Sequence, residues 1–179
     1  MFPTEREETL AMAWPPGADA PDASPVAGYS LRVGADRAAF ESVQAGIGFD
    51  VTDAAWTGLS ERLVDTAMVL AFGSDEPVAA AAAERRAGGW VELGWVAVSP
   101  AHRGRGLGLA VCARLTRRLL ETGETALFGS TQDHRLAALR IYFALGFHPV
   151  HRDAKRDRWR AVCERIGAPY EPARWRWPT

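Results

Sequence analysis

Hydrophobic and polar positions change period several times along this chain, and each change marks an element. Tyr29-Ser30-Leu31-Arg32-Val33 alternates apolar and polar residues, the pattern of a half-buried strand. Upstream, Leu10-Ala11-Met12-Ala13-Trp14 alternates weakly and predicts an added edge strand. A linker rich in Pro, Ala, Asp and Gly separates the two over residues 15–28. Helical patterns follow near 37–45 and 54–65, the second with Asp53 as N-cap. Apolar runs at 67–72, 78–86 and 90–98 read as three antiparallel strands, joined by Gly73-Ser74-Asp75-Glu76-Pro77 and Gly88-Gly89. Leu107, Val111, Leu115 and Leu119 then recur every four residues and predict a helix with one buried stripe. A strand over 125–130, a helix over 135–145 closed by Gly146, and a strand over 147–150 complete the series.

This order predicts one α/β domain of the α+β type over residues 29–150, a mixed, mostly antiparallel sheet flanked by helices. Residues 1–28 then form an N-terminal extension and linker. Residues 151–179 form a C-terminal helix and tail packed on the domain, with Trp159, Val162, Cys163 and Ile166 on one helical face and Trp175 and Trp177 beyond it. The alanine run inside 78–83 occupies a strand slot against its helical preference.

The chemistry concentrates after Val98. There an apolar strand ends at Pro100, and a basic glycine-rich turn, Arg103-Gly104-Arg105-Gly106-Leu107-Gly108, leads straight into a helix. Glycines let a backbone approach an anion closely, and the helix N-terminus adds unpaired N–H groups and positive potential. Such a turn suits a polyphosphate. The Walker pattern is absent, and the glycines are spaced two apart, unlike the dinucleotide-binding fingerprint. An unrelated nucleotide binder stays open at this point.

Composition narrows the setting. The 179 residues carry a net charge of −1, which offers no general attraction for nucleic acid or anionic membrane. Acids nevertheless outnumber bases over residues 36–65, where Asp50 and Asp53 stand near Phe49 and Trp56. Two cysteines are too few for a disulfide framework and read as buried small hydrophobes. His102, His134, His148 and His151 lack metal-ligand spacing, so no metal is expected. No signal pattern or membrane span is visible, and the cytoplasm is the expected compartment.

Arg103 to Gly108 resembles the Gln/Arg-x-x-Gly-x-Gly/Ala signature of the GNAT acyltransferase superfamily. The lead-in Val96-x-Val98-x-Pro100 resembles that family as well. A second motif stands about 35 residues on, where Ala138 to Phe147 resembles the family's Ala-x-x-x-Tyr-x-x-x-Gly-Phe. The resemblance spans about residues 29–150. It implies a sheet splayed between the fourth and fifth strands, and an N-acetyltransferase that uses acetyl-CoA, without a metal, on a small-molecule or peptide amine. The backbone of Val96, Ala97 and Val98 would bond the pantetheine arm. Arg103, Gly104, Arg105, Gly106, Leu107 and Gly108 would hold the diphosphate.

The same resemblance assigns two catalytic candidates. Glu92, an acid on an apolar strand, matches a position used as general base, and strict alternation puts it on one face with Gly94, Val96 and Val98. Tyr142 matches a tyrosine that protonates the departing thiolate; otherwise it is a core aromatic with its hydroxyl on backbone. Seven residues before Tyr142 relatives carry asparagine, and this chain has Arg135, which cannot accept a hydrogen bond. Arg135 is therefore expected to meet a CoA phosphate or Asp133, and Asp133 to cap the helix. Trp90 and Trp95 read as sheet-covering residues rather than an acceptor box. An acyl-CoA-binding module without turnover is the alternative function, and the tail could serve a homodimer.

Overall fold

The computed structural model describes residues 9–150 and 153–175. Strand β1 (Leu10–Ala13) is followed by β2 (Tyr29–Val33), α1 (Arg37–Ala45), α2 (Asp53–Arg62), β3 (Leu63–Gly73), β4 (Glu76–Arg85) and β5 (Val91–Val98). Then come α3 (Leu107–Glu121), β6 (Leu127–Thr131), α4 (Leu136–Leu145), β7 (His148–Pro149) and α5 (Arg156–Ile166). The strands form one sheet in the order β2-β3-β4-β5-β6-β1-β7. Among the described residues only the β5–β6 pair is parallel, and the other pairs are antiparallel. The mixed α/β architecture and the mostly antiparallel sheet agree with the sequence pattern. His151, Trp177 and residues 1–8 lie outside the described residues.

The N-terminal segment departs from expectation. β1 is no edge strand: it lies between β6 and β7, with all four residues buried. Leu10 and Met12 enter the main core shared with α3, α4 and α5, while Ala11 and Ala13 meet Phe128 and Val150 on the other face. Both faces of this strand are covered, so its side chains are apolar throughout and the alternation is faint. The ladder runs from Leu10 opposite Thr131 to Ala13 opposite Phe128, and Met12 pairs with Pro149. Residues before the linker thus complete the sheet that Tyr29 resumes.

Helices cover both faces. α3 lies over β3, β4 and β5, and its stripe Leu107, Val111, Leu115 and Leu119 is buried as the spacing predicts. α1 and α2 cover the opposite face through Phe40, Val43 and Leu59. The alanine run of β4 is fully buried between these layers, where small side chains suit a strand covered on both sides and tertiary packing overrides helical preference. Thr52, not Asp53, caps α2: its Oγ1 accepts from Ala55 N at 3.2 Å. Asp53 is the first helical residue and pairs with Arg37. At the C-terminal end α5 packs on α4, burying Trp159, Val162 and Cys163 in the main core beside Trp175.

Candidate functional site

The site begins where two strands part. β5 and β6 pair through Val91–Leu127, Glu92–Phe128 and Leu93–Gly129, and no later residues of the two strands are paired. A bulge sits at this point. Two residues of β5, Trp95 and Val96, stand opposite Ala81 of β4, and Trp95 takes φ 54, a left-handed value costly for a bulky side chain. Buried Gln44 donates from Nε2 to the Trp95 carbonyl at 2.9 Å and braces the bulge. Beyond Leu93, the β6-facing backbone of β5 has no partner in β6, and the Val98 carbonyl accepts instead from Arg103 Nε at 3.3 Å.

The bulge corrects the expected facing of Glu92. Val96 and Val98 pack toward α3, while Trp95 and Ala97 join the α1/α2 side. Glu92 pairs in register with Glu84, which bonds Arg62 of α2, so it shares the α1/α2 face and not the face of Val96 and Val98. The extra residue reverses the alternation between them.

Below the fork lies a pocket of about 630 Å³. Its lining includes every residue expected to hold the donor except Arg105, which is exposed: Val96, Ala97, Val98, Arg103, Gly104, Gly106, Leu107, Gly108 and Arg135. Ile47, His102 and Leu109 also line it and lie outside both motifs, and Arg140 lines it from within the second. No Asp or Glu is among the described lining residues, whereas three arginines and one histidine are. That imbalance favours an anion. Gly104 and Gly106 have φ 75 and 82, and Gly106 is the N-cap of α3 without a side chain to satisfy the first helical N–H groups. Those donors are the ones an anion at a helix start would take. Gly108 has a different reason to be glycine: a Cβ there would lie 2.9 Å from Ile141 Cδ1, so it lets α3 and α4 approach.

Neither catalytic candidate lines the pocket, and both stand at the fork. The Glu92 carboxylate accepts from Arg86 Nε at 2.7 Å and from Ser130 Oγ at 2.6 Å. Arg86 in turn donates to buried Glu84 at 2.5 Å, and Arg62 reaches the other Glu84 oxygen at 2.8 Å. On the opposite face Tyr142 is buried, and its hydroxyl donates to the Leu93 carbonyl at 2.9 Å. The tyrosine ring lies against Gly129, where a Cβ would come 2.7 Å from Tyr142 Oη. Burial pushes the phenol well above its usual range, with smaller contributions from Cys112 and Glu92.

Asp133 does not cap α4. The N-cap is Arg135, which makes no capping bond, and Asp133 instead binds Arg158 of α5 through both carboxylate oxygens, one contact being 2.8 Å. A planar guanidinium offers two donors in a fork, and the fold brings Arg158 within reach. Arg135 is not the partner of Asp133 there and lines the pocket instead. Among the described residues no group of three or more His, Cys, Asp or Glu is placed to hold a metal ion. No helix among them is long and apolar enough to cross a membrane.

Comparison with known proteins bears on the family and the fold. A sequence model described as the Acetyltransferase (GNAT) family matches residues 39–147. A GCN5-related N-acetyltransferase from Sphaerobacter thermophilus is 26% identical with a TM-score of 0.61, over 80% of this chain and 48% of that one. A GCN5-related N-acetyltransferase from Kribbella flavida is 27% identical with a TM-score of 0.56, over 78% and 53%. The chain thus spans about half the length of these structures. The ribosomal-protein-S18-alanine N-acetyltransferase of Escherichia coli shares the fold at 19% identity and a TM-score of 0.56, over 66% and 76%. No curated protein sequence matches. With the family's signature on the pocket turn and its splay at Leu93, the chain belongs to the GNAT acetyltransferase family.

Proposed function

We propose that this chain transfers the acetyl group of acetyl-CoA to a primary amine, of a small molecule or a peptide, by direct attack in a ternary complex. The observation that carries this is the parting of β5 and β6 at Leu93 above a pocket lined by Arg103, Arg135, Arg140 and His102. The backbone of Arg103 to Gly108 holds the diphosphate at the start of α3, with Arg135 on a further phosphate. The backbone of Val96 to Val98, which has no partner in β6, bonds the pantetheine arm, and the thioester lies toward the fork.

There the two faces divide the proton work. Glu92, oriented by Arg86 and Ser130, takes a proton from the acceptor ammonium on the α1/α2 side. Tyr142, a neutral phenol at pH 7, gives its proton to the departing thiolate from the α3/α4 side. Most of the rate gain comes from holding amine and thioester together. Acetyl-CoA should raise the melting temperature where ATP and NAD do not. A screen of primary amines with mass detection of acetylated product then identifies the acceptor. Turnover untouched in Glu92→Gln removes Glu92 as base.

A second reading, an acyl-CoA-binding module without turnover, draws on the same contacts. The Tyr142 hydroxyl and both Glu92 oxygens already have partners within the protein. Stabilisation by acetyl-CoA with no acetylated product from a broad amine panel favours that reading.

A further inference from the structure

We propose that His102 is a phosphate-contacting residue of this pocket, presenting Nε2–H to the ligand because Tyr29 engages its other ring nitrogen. The proposal rests on the acyl-CoA reading above. His102 lines the pocket beside Arg103 and Gly104. Its Nδ1 lies 2.9 Å from the Tyr29 hydroxyl, and the two rings meet edge to face at 5.7 Å. Among the described residues Nε2 has no hydrogen-bond partner.

The arrangement is built from three separate segments. Tyr29 opens β2, the edge strand; Gly73 ends β3; His102 lies in the short 3-10 turn Pro100–His102 before α3. A Cβ on Gly73 would come 3.2 Å from Tyr29 Cε1 and 3.7 Å from His102 Cε1, so the glycine makes room for the pair. The backbone N–H of His102 donates to the Ser99 carbonyl and anchors the residue from below.

Histidine chemistry gives the pair its consequence. When the Tyr29 hydroxyl donates to Nδ1, a neutral imidazole carries its proton on Nε2, and that N–H is a donor. In a neutral ring the reverse arrangement leaves Nε2 a bare lone pair, which repels a phosphate oxygen. Of the two neutral tautomers, a bound anion therefore selects the first. Arg103 is anchored beside His102, its Nε turned back to the Val98 carbonyl at 3.3 Å, which leaves its Nη groups as separate donors.

Two substitutions separate this role from simple packing. Asparagine places its amide where Nδ1 stood and keeps a partner for Tyr29, whereas glutamine reaches the position of Nε2. Titration calorimetry with acetyl-CoA is expected to show about tenfold weaker binding for His102→Asn and a loss within about threefold for His102→Gln, the scale of one hydrogen bond to a charged group. Equal affinity of His102→Asn and the parent overturns the proposal, as does a loss in His102→Gln as large as in His102→Asn. Long-range 1H–15N spectra of the unmutated protein give a second readout. Protonated Nε2 in the acetyl-CoA complex supports the assignment, and protonated Nδ1 with bare Nε2 refutes it. If the parent itself fails to bind acetyl-CoA, the donor reading falls and this inference with it.

Discussion

The Tyr142 hydroxyl donates to the carbonyl of Leu93, and Leu93 is the last residue of β5 to pair with β6. One side chain thus caps the point from which the two strands diverge. Its ring fills the space above Gly129, the residue opposite Leu93. A tyrosine held this way serves the core and stands at the mouth of the gap at once.

Tyr142→Phe separates those duties. The ring and its packing on Phe147 stay, and one buried hydrogen bond is lost, which costs about 1–2 kcal/mol of stability. Turnover should fall by roughly 10²-fold if the hydroxyl is the acid, while the dissociation constant for acetyl-CoA changes little. Unchanged turnover in a folded variant removes the acid role and leaves a structural tyrosine.

Gly106→Val tests the anion cradle. The glycine has φ 82, and no atom lies within 4 Å of an added Cβ, so conformation rather than crowding demands glycine. A β-branched residue there costs about 1–2 kcal/mol or forces the turn to rearrange. Stabilisation by acetyl-CoA should disappear while circular dichroism keeps its folded form. Normal binding by this variant means that the turn is not the phosphate site.

The Asp133–Arg158 pair predicts a pH dependence. Hydrogen bonding to Arg158 holds the Asp133 carboxyl below its usual range, against the opposing pull of burial. A group whose folded pKa is depressed stabilises the protein above its unfolded value and loses that contribution as pH falls through the folded one. Both side chains are about a third exposed, at 35% and 30%, so solvent screening keeps the effect to about 1 kcal/mol or less. Urea midpoints of the parent and Asp133→Asn should differ at neutral pH and converge below about pH 4. A constant difference down to pH 2.5 would falsify the assignment.

Both thiols should be silent in the native state. Burial pushes the Cys112 thiol up to about 12, and it raises Cys163 as well. Thiolate is the reactive form, so a disulfide reagent at pH 8 should label neither cysteine until denaturant unfolds the chain. Fast labelling of Cys112 without denaturant shows that α3 opens locally.

Sequence alone determined the parts of this protein whose signals are local. The period of Leu107, Val111, Leu115 and Leu119, the glycine turn before it and the Gly146 stop are written in consecutive residues, and each element formed where its pattern predicts. The pocket was legible for the same reason, since most of its lining comes from one run of chain, Val96 to Leu109, although Arg135 to Ile141 close it from α4. Only the tertiary structure decided what distant segments do to one another. It inserted Leu10–Ala13 between β6 and β7, which no local pattern encodes, because a strand covered on both faces looks like any short apolar run. It turned Glu92 away from Val96 and Val98, because a single extra residue at Trp95 reverses every later side chain. It drew Asp133 to Arg158 and Tyr29 to His102 across 25 and 73 residues, and those contacts exist only once the sheet and helices have packed.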